Sequence, residues 1–120
     1  MGYNPLKKEA YMYVVRLTEE FALWLSELGK KNKILEQRVT QRIRRMSMGN
    51  FGDAKSLGGG VSEARIFSTP ALRLYFLVTE RVVIVFLWGG DKSNQQKDIE
   101  RARQFAALIY ERGSNEINRF

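Results

Sequence analysis

Residues Val82–Trp88 (VVIVFLW) form the longest apolar run of the chain, and Gly89-Gly90 follows at once. Seven residues fall far short of the roughly 18–20 that a membrane-spanning helix needs. β-Branched and aromatic side chains dominate the run, which marks it as a strand. Because every position is apolar, rather than every second one, it suits a central strand buried on both faces. Gly89-Gly90 is expected to end it.

The segments around this strand sort into a small set of elements. Tyr11–Leu17 (YMYVVRL) reads as a strand. Thr18 then precedes Glu19 and Glu20, an N-cap hydroxyl with acids in the first turn, where the helix dipole favours them. Phe21, Trp24, Leu25 and Leu28 recur at helical spacing and predict a helix over 19–29. A second helix over 32–47 carries the stripe Leu35, Val39, Ile43 and Met46. Gly49–Gly60 holds five glycines in twelve residues and reads as a loop. Glu63–Phe67 and Leu72–Val78 are strand candidates, the second with Leu72, Leu74, Phe76 and Val78 on one face. Thr79-Glu80-Arg81 would join it to the apolar strand as a hairpin. Ser93 with Gln96 three residues on has the form of a capping box and opens a helix over 94–112. That helix buries Ile99, Ala102, Phe105, Ala106 and Ile109. The order is β-α-α-β-β-β-α, an α+β fold with a small, mostly antiparallel sheet and helices. The 120 residues suffice for one domain, with a polar leader over 1–10 and a loose tail over Gly113–Phe120.

Composition removes whole classes of chemistry. The chain has no His and no Cys, so imidazole or thiolate metal sites, disulfides, Ser-His-Asp triads and Cys-His dyads are excluded. Arg, Lys, carboxylates, hydroxyls and backbone remain. The net charge is +7, which attracts phosphate polymers or acidic protein surfaces. Most of it lies in residues 30–45, where Lys30, Lys31, Lys33, Arg38, Arg42, Arg44 and Arg45 stand against Glu36 alone. This is either a solvated helix face or a rim that tracks phosphates. With neither a signal peptide nor a membrane span in the pattern, the expected location is the cytoplasm.

Three further cations are sharper candidates. Alternation places Arg73 and Tyr75 opposite the apolar face of their strand, and Arg65 likewise leaves the core of its own. If the strands pair, the two arginines meet on one sheet face, which is otherwise simply a solvated one. On this reading Arg73 faces solvent, and Arg73→Ala costs no more than about 0.5 kcal/mol of stability. Lys92 lies in the Asp91-Lys92-Ser93 turn before a helix N-terminus, where backbone N–H groups point at anions. The alternative is a capped turn with an exposed lysine. It is not a nucleotide-binding P-loop, because Asp91 stands where that motif needs Gly.

Several segments occur together in a recognisable order: Thr18-Glu19-Glu20-Phe21-x-x-Trp24-Leu25, Gly49-Asn50-Phe51-Gly52-Asp53, Gly60-Val61-Ser62-Glu63-x-Arg65-Ile66, Arg73-Leu74-Tyr75-Phe76, and Gly89-Gly90-Asp91-Lys92-Ser93-x-Gln95-x-x-Asp98-Ile99. Over about residues 11–108 this pattern resembles the addiction-module killer proteins, the HigB-like branch of the RelE/ParE toxin superfamily. The resemblance implies a RelE-like fold of the order just derived, and the toxin of a type II toxin–antitoxin pair. It implies a ribosome-dependent mRNA endonuclease that works without metal or other cofactor. In that chemistry a 2′-OH attacks the neighbouring phosphate, and basic side chains stabilise the developing charge. By motif position, Arg65, Arg73 and Lys92 are the catalytic candidates. Lys55, with Arg38, Arg42 and Arg45, would bind RNA. Implied partners are the ribosome with its mRNA and a cognate antitoxin, expected to be a helix-turn-helix DNA-binding protein; no membrane is implied. Ala71-Leu72 replaces the usual Gly-Tyr before the sheet arginine, and Phe67-Ser68 follows Arg65-Ile66 where an aromatic residue or His is common. The general base stays open among Tyr110, Glu63 and Asp91. Two other activities remain open on the same fold: ParE-like inhibition of gyrase without nuclease activity, and a nuclease-dead module that binds RNA or the ribosome.

Overall fold

The computed structural model describes residues 12–113 and the short strand Asn118–Arg119. The polar leader over 1–10 therefore lies outside the described residues. The elements are β1 (Val14–Leu17), α1 (Glu19–Lys31), α2 (Lys33–Ser47), β2 (Ala54–Gly58), β3 (Val61–Ile66), β4 (Leu72–Thr79), β5 (Val83–Asp91), a 3-10 turn over Lys92–Asn94, α3 (Gln95–Arg112) and β6 (Asn118–Arg119). The fold is α+β. Its mixed sheet runs β2-β3-β4-β5-β1-β6, antiparallel throughout except for the parallel pair β1 and β5. No helix among the described residues is long and apolar enough to cross a membrane.

Local rules account for most boundaries. Thr18 begins α1 as expected: its hydroxyl accepts from the Phe21 N–H at 3.0 Å and donates to the Leu87 carbonyl at 2.8 Å, so one side chain caps the helix and ties it to β5. Asn32 caps α2 in the same way, accepting from the Leu35 N–H at 3.1 Å. Glu80 and Arg81 both have positive φ and lie in the three-residue turn that joins Thr79 to its partner Val83.

Four expectations are corrected. The glycine-rich stretch contains strand β2, because Gly58, Gly59 and Gly60 adopt positive φ and turn the chain into a hairpin with β3. The order therefore gains a strand. Gly89-Gly90 does not end β5, which runs on to Asp91. The Ser93 capping box does not form: Asp91 accepts from the Ser93 N–H and hydroxyl instead, and Asn94 at the start of α3 makes no side-chain cap. Within the expected loose tail, Asn118–Arg119 pairs antiparallel with β1.

The sheet carries helices on both faces. Phe21 of α1 and Leu35, Val39 and Ile43 of α2 pack against Leu17, Leu74, Phe76, Ile84 and Phe86 of the sheet. Ala102, Ala106 and Ile109 of α3 pack against Val61, Tyr75, Leu77, Val83, Val85 and Leu87 of the sheet. The apolar run thus divides between two cores, as a strand buried on both sides must. One irregularity interrupts the alternation. Tyr75 is the Cα partner of Trp88 and Phe76 that of Phe86, so Leu87 is an extra residue on β5. This bulge turns both Leu87 and Trp88 toward α3.

Candidate nucleic-acid interface and polar cluster

Register assembles the site. Across the α3 face of the sheet, Lys55, Glu63, Tyr75 and Trp88 form one row of successive Cα partners. The next row is Arg65, Arg73 and Gly90. Directly opposed residues on antiparallel strands share a face, so Arg65 and Arg73 leave the sheet side by side, while the Arg65 guanidinium bonds the Asp53 carboxylate. Lys92 follows Asp91, the Cα partner of Leu72, and is exposed at the same end of the sheet.

Arg73 is not solvent-facing. Its side chain is only 12% exposed, and its Nε stands 3.9 Å from the Glu63 carboxylate, an ion pair too long for a hydrogen bond. The expectation of a nearly free Arg73→Ala change is corrected on this ground, since α3 covers this face. Arg73 Nε and Nη1 are buried without a hydrogen-bond partner, and so is the Tyr75 hydroxyl. Glu63 is 1% exposed and accepts from Gln95 Nε2 at 3.3 Å. Asp98, on the first turn of α3, accepts from Trp88 Nε1 at 2.9 Å. That bond exists because the bulge turned Trp88 to this face. A Cβ on Gly90 would collide with the Asp98 carboxylate, so glycine is what lets α3 settle so closely. Burial, followed by the Glu63 and Asp98 carboxylates, pushes the Tyr75 phenol well above its usual value, with Arg73 opposing. Burial also raises Asp98, against the Trp88 bond and Arg101. Asp91 moves the other way, held below the usual carboxylate range by its bonds from Ser93.

Round the edge of β3 the surface becomes an open cleft of about 440 Å³ between α2 and the end of β3, lined by Arg38, Gln41, Arg42, Arg45, Asp53, Arg65, Ile66 and Phe67. Arg65 belongs to both regions: it shares a row with Arg73, and its Nε bonds the Asp53 carboxylate at 3.2 Å.

The cleft's arginines are not equivalent. Arg42, expected to bind RNA, is 7% exposed and donates to three carbonyls, Phe51 at 3.1 Å, Arg65 at 2.8 Å and Asp53 at 2.8 Å. It is a bracket that holds the β2–β3 edge to α2, and its guanidinium is spent. Burial, with Arg45 nearby, lowers it from the usual arginine value; an arginine still stays charged. Arg38 and Arg45 are exposed. Lys55 is exposed on β2. The possible bases are scattered. Asp91 is occupied as a cap, Glu63 is sealed beside Arg73, and Tyr110 reaches toward the Gly60 carbonyl at the far end of β3. Among the described residues, no group of three or more carboxylates is placed to share a metal ion.

No family model matches the chain, and no solved structure does. A curated relative does: an uncharacterized protein of Haemophilus influenzae strain Rd, 40% identical over 92 residues, covering 77% of this chain and 91% of that protein. The chain belongs to that protein's family.

Sequence reasoning missed Asp53, Gln95, Trp88 and Asp98 as members of the site. Trp88 was hidden because alternation assigns it to the wrong face unless the bulge is known. Asp98 carried a weak signal, an acid one turn into a helix whose buried stripe it adjoins. What the residues can do chemically is bind and neutralise anions, with four arginines in the cleft against one carboxylate and Arg73 with unspent donors beside it.

Proposed function

We propose that this chain is the toxin of a type II toxin–antitoxin pair. It cleaves mRNA at the ribosome in the cytoplasm, without a metal, and is restrained by a small helix-turn-helix antitoxin. The observation that carries this reading is the Arg65–Arg73 row: two arginines that are Cα partners on one sheet face, with Lys92 exposed at the same end of the sheet. Such preorganised donors are what a phosphoryl group gathering charge requires. In the reaction the 2′-oxygen bonds to the adjacent phosphorus and its proton passes to a base. The bond to the 5′-oxygen breaks, that oxygen is protonated, and a 2′,3′-cyclic phosphate and a 5′-hydroxyl result. Arg73 and Arg65 stabilise the charge on the non-bridging oxygens, and Lys92 serves the leaving side. The ordered motifs and the supply of Arg and Lys in a chain without His support the same reading.

Expression without the partner should arrest growth. Primer extension on mRNA in a translation extract should then show discrete cuts that need ribosomes. Growth arrest with intact mRNA and inhibited supercoiling would instead assign the chain to gyrase, and harmless expression of folded protein would remove the toxin reading.

A further inference from the structure

Phe67 is 71% exposed, the most exposed of the large apolar side chains among the described residues. It follows β3 and closes one side of the arginine cleft. It is also held in place. Arg38 Nη1 donates to the Phe67 carbonyl at 3.0 Å, and the Ser68 hydroxyl bonds the Pro70 carbonyl at 2.7 Å just beyond it. The Arg65 guanidinium lies 5.7 Å from the ring centroid, and most of the ring's surface faces water. Anchored backbone, a cation beside the ring and an open aromatic face make a stacking platform.

The cations around it are spaced for a chain rather than for a single anion. Arg38, Arg42 and Arg45 sit at i, i+4 and i+7 on α2 and share one face. With Arg42 consumed by carbonyls, the exposed pair Arg38 and Arg45 is separated by about 10 Å along the helix axis. That spacing leaves room for more than one phosphate of a strand. We propose that this cleft binds single-stranded polynucleotide, with one base stacked on Phe67 and successive phosphates met by Arg65, Arg38 and Arg45. The inference rests on the RNA-cleaving reading above, and it adds where the strand runs and which side chain grips a base. Asp53 sets the affinity: its carboxylate occupies Arg65 and repels an incoming phosphate.

The probe is a fluorescent 2′-O-methyl oligoribonucleotide with 2-aminopurine at its centre, which reports stacking and cannot be cut. Binding is followed by anisotropy at about 50–200 mM salt. Phe67→Ala should weaken binding by about 10- to 100-fold, the scale for losing one stacked base, and abolish the change in 2-aminopurine emission. Phe67→Trp should keep both. A probe abasic at that position should bind wild type as weakly as the intact probe binds Phe67→Ala. Arg45→Ala should lower the salt slope by about one phosphate contact, and Asp53→Asn should tighten binding. Because Phe67 and Arg45 are exposed, unchanged melting curves should show that these variants fold. Equal affinity of Phe67→Ala and wild type overturns the inference. So does an oligoglutamate peptide that binds as tightly as the probe and loses as much in Phe67→Ala, since the cleft would then dock an acidic protein. Neither result touches the growth-arrest and primer-extension tests, so the toxin reading stands or falls separately.

Discussion

The two faces of the sheet are built from different materials. Under α1 and α2, six aromatic rings touch in sequence, Trp24, Phe21, Phe86, Phe76, Phe51 and Tyr13, with neighbouring centroids 5.3–5.8 Å apart. Under α3 the aliphatic core of Val83, Val85, Leu87 and Ala106 gives way at one end to Glu63, Arg73, Tyr75 and Asp98. A dry aromatic face gains stability from contact area and tolerates no loss of volume. A buried polar end is poor in stability, because its donors and charges give up water for imperfect partners. Under the proposed function, it is this polar end, with donors left over, that would give up stability for binding.

This contrast can be broken at its strong end first. Phe86→Ala, in the middle of the aromatic series, should cost about 3–5 kcal/mol in chemical denaturation. Under the proposed function, the fraction that stays folded should still cleave mRNA. A loss below about 1 kcal/mol would mean that the ring series contributes little.

Arg73→Ala should behave in the opposite way. Under the proposed function, cleavage should fall about 10²–10³-fold, the scale for removing one preorganised donor. Stability should fall by about 3 kcal/mol because Glu63 is left buried and unpaired, near the low end for a buried pair since the two stand 3.9 Å apart. The double variant Glu63→Gln/Arg73→Met should recover most of that stability and none of the activity. Recovery of both would make the pair purely structural. Cleavage unchanged in a folded Arg73→Ala would favour the gyrase activity.

Tyr75→Phe probes the unspent hydroxyl. Removing a buried polar atom that bonds nothing should raise stability by about 1 kcal/mol, visible as a higher Tm. A loss instead would show that the hydroxyl holds a partner.

The smallest effect concerns pH. Burial raises Asp98 in the folded state, so its contribution is fully present below the ordinary carboxylate pKa and is lost as pH rises through the raised one. The stability of wild type relative to Asp98→Asn should therefore decline as pH rises across that window. Asp91 has the reverse sign, because its pKa is depressed. Its contribution is present above the unfolded pKa and disappears as pH falls, so Asp91→Asn should matter least at low pH. Denaturant titrations at several pH values check both slopes. Parallel curves for wild type and Asp98→Asn would show that the carboxyl is not desolvated.

Much of the fold was legible from residue order, and for a physical reason. The helix start at Thr18, the stripe Leu35–Val39–Ile43–Met46, and the shared face of Arg65 and Arg73 follow from caps and periodicities that act within a few residues. The apolar run Val82–Trp88 announced a strand with two buried faces by the same logic. What tertiary structure decided needed distant partners. Arg42 belongs to the same basic series as Arg38 and Arg45, yet three carbonyls from Phe51, Asp53 and Arg65 converge on it alone and bury it. Asp91, rather than Ser93, became the cap because β5 continued through both glycines. The β5 bulge reversed Trp88 toward Asp98, and α3 then closed over Arg73, which alternation by itself had left in water. Periodicity says which way a side chain leaves its strand. Whether water or a helix waits there depends on residues far away in the chain.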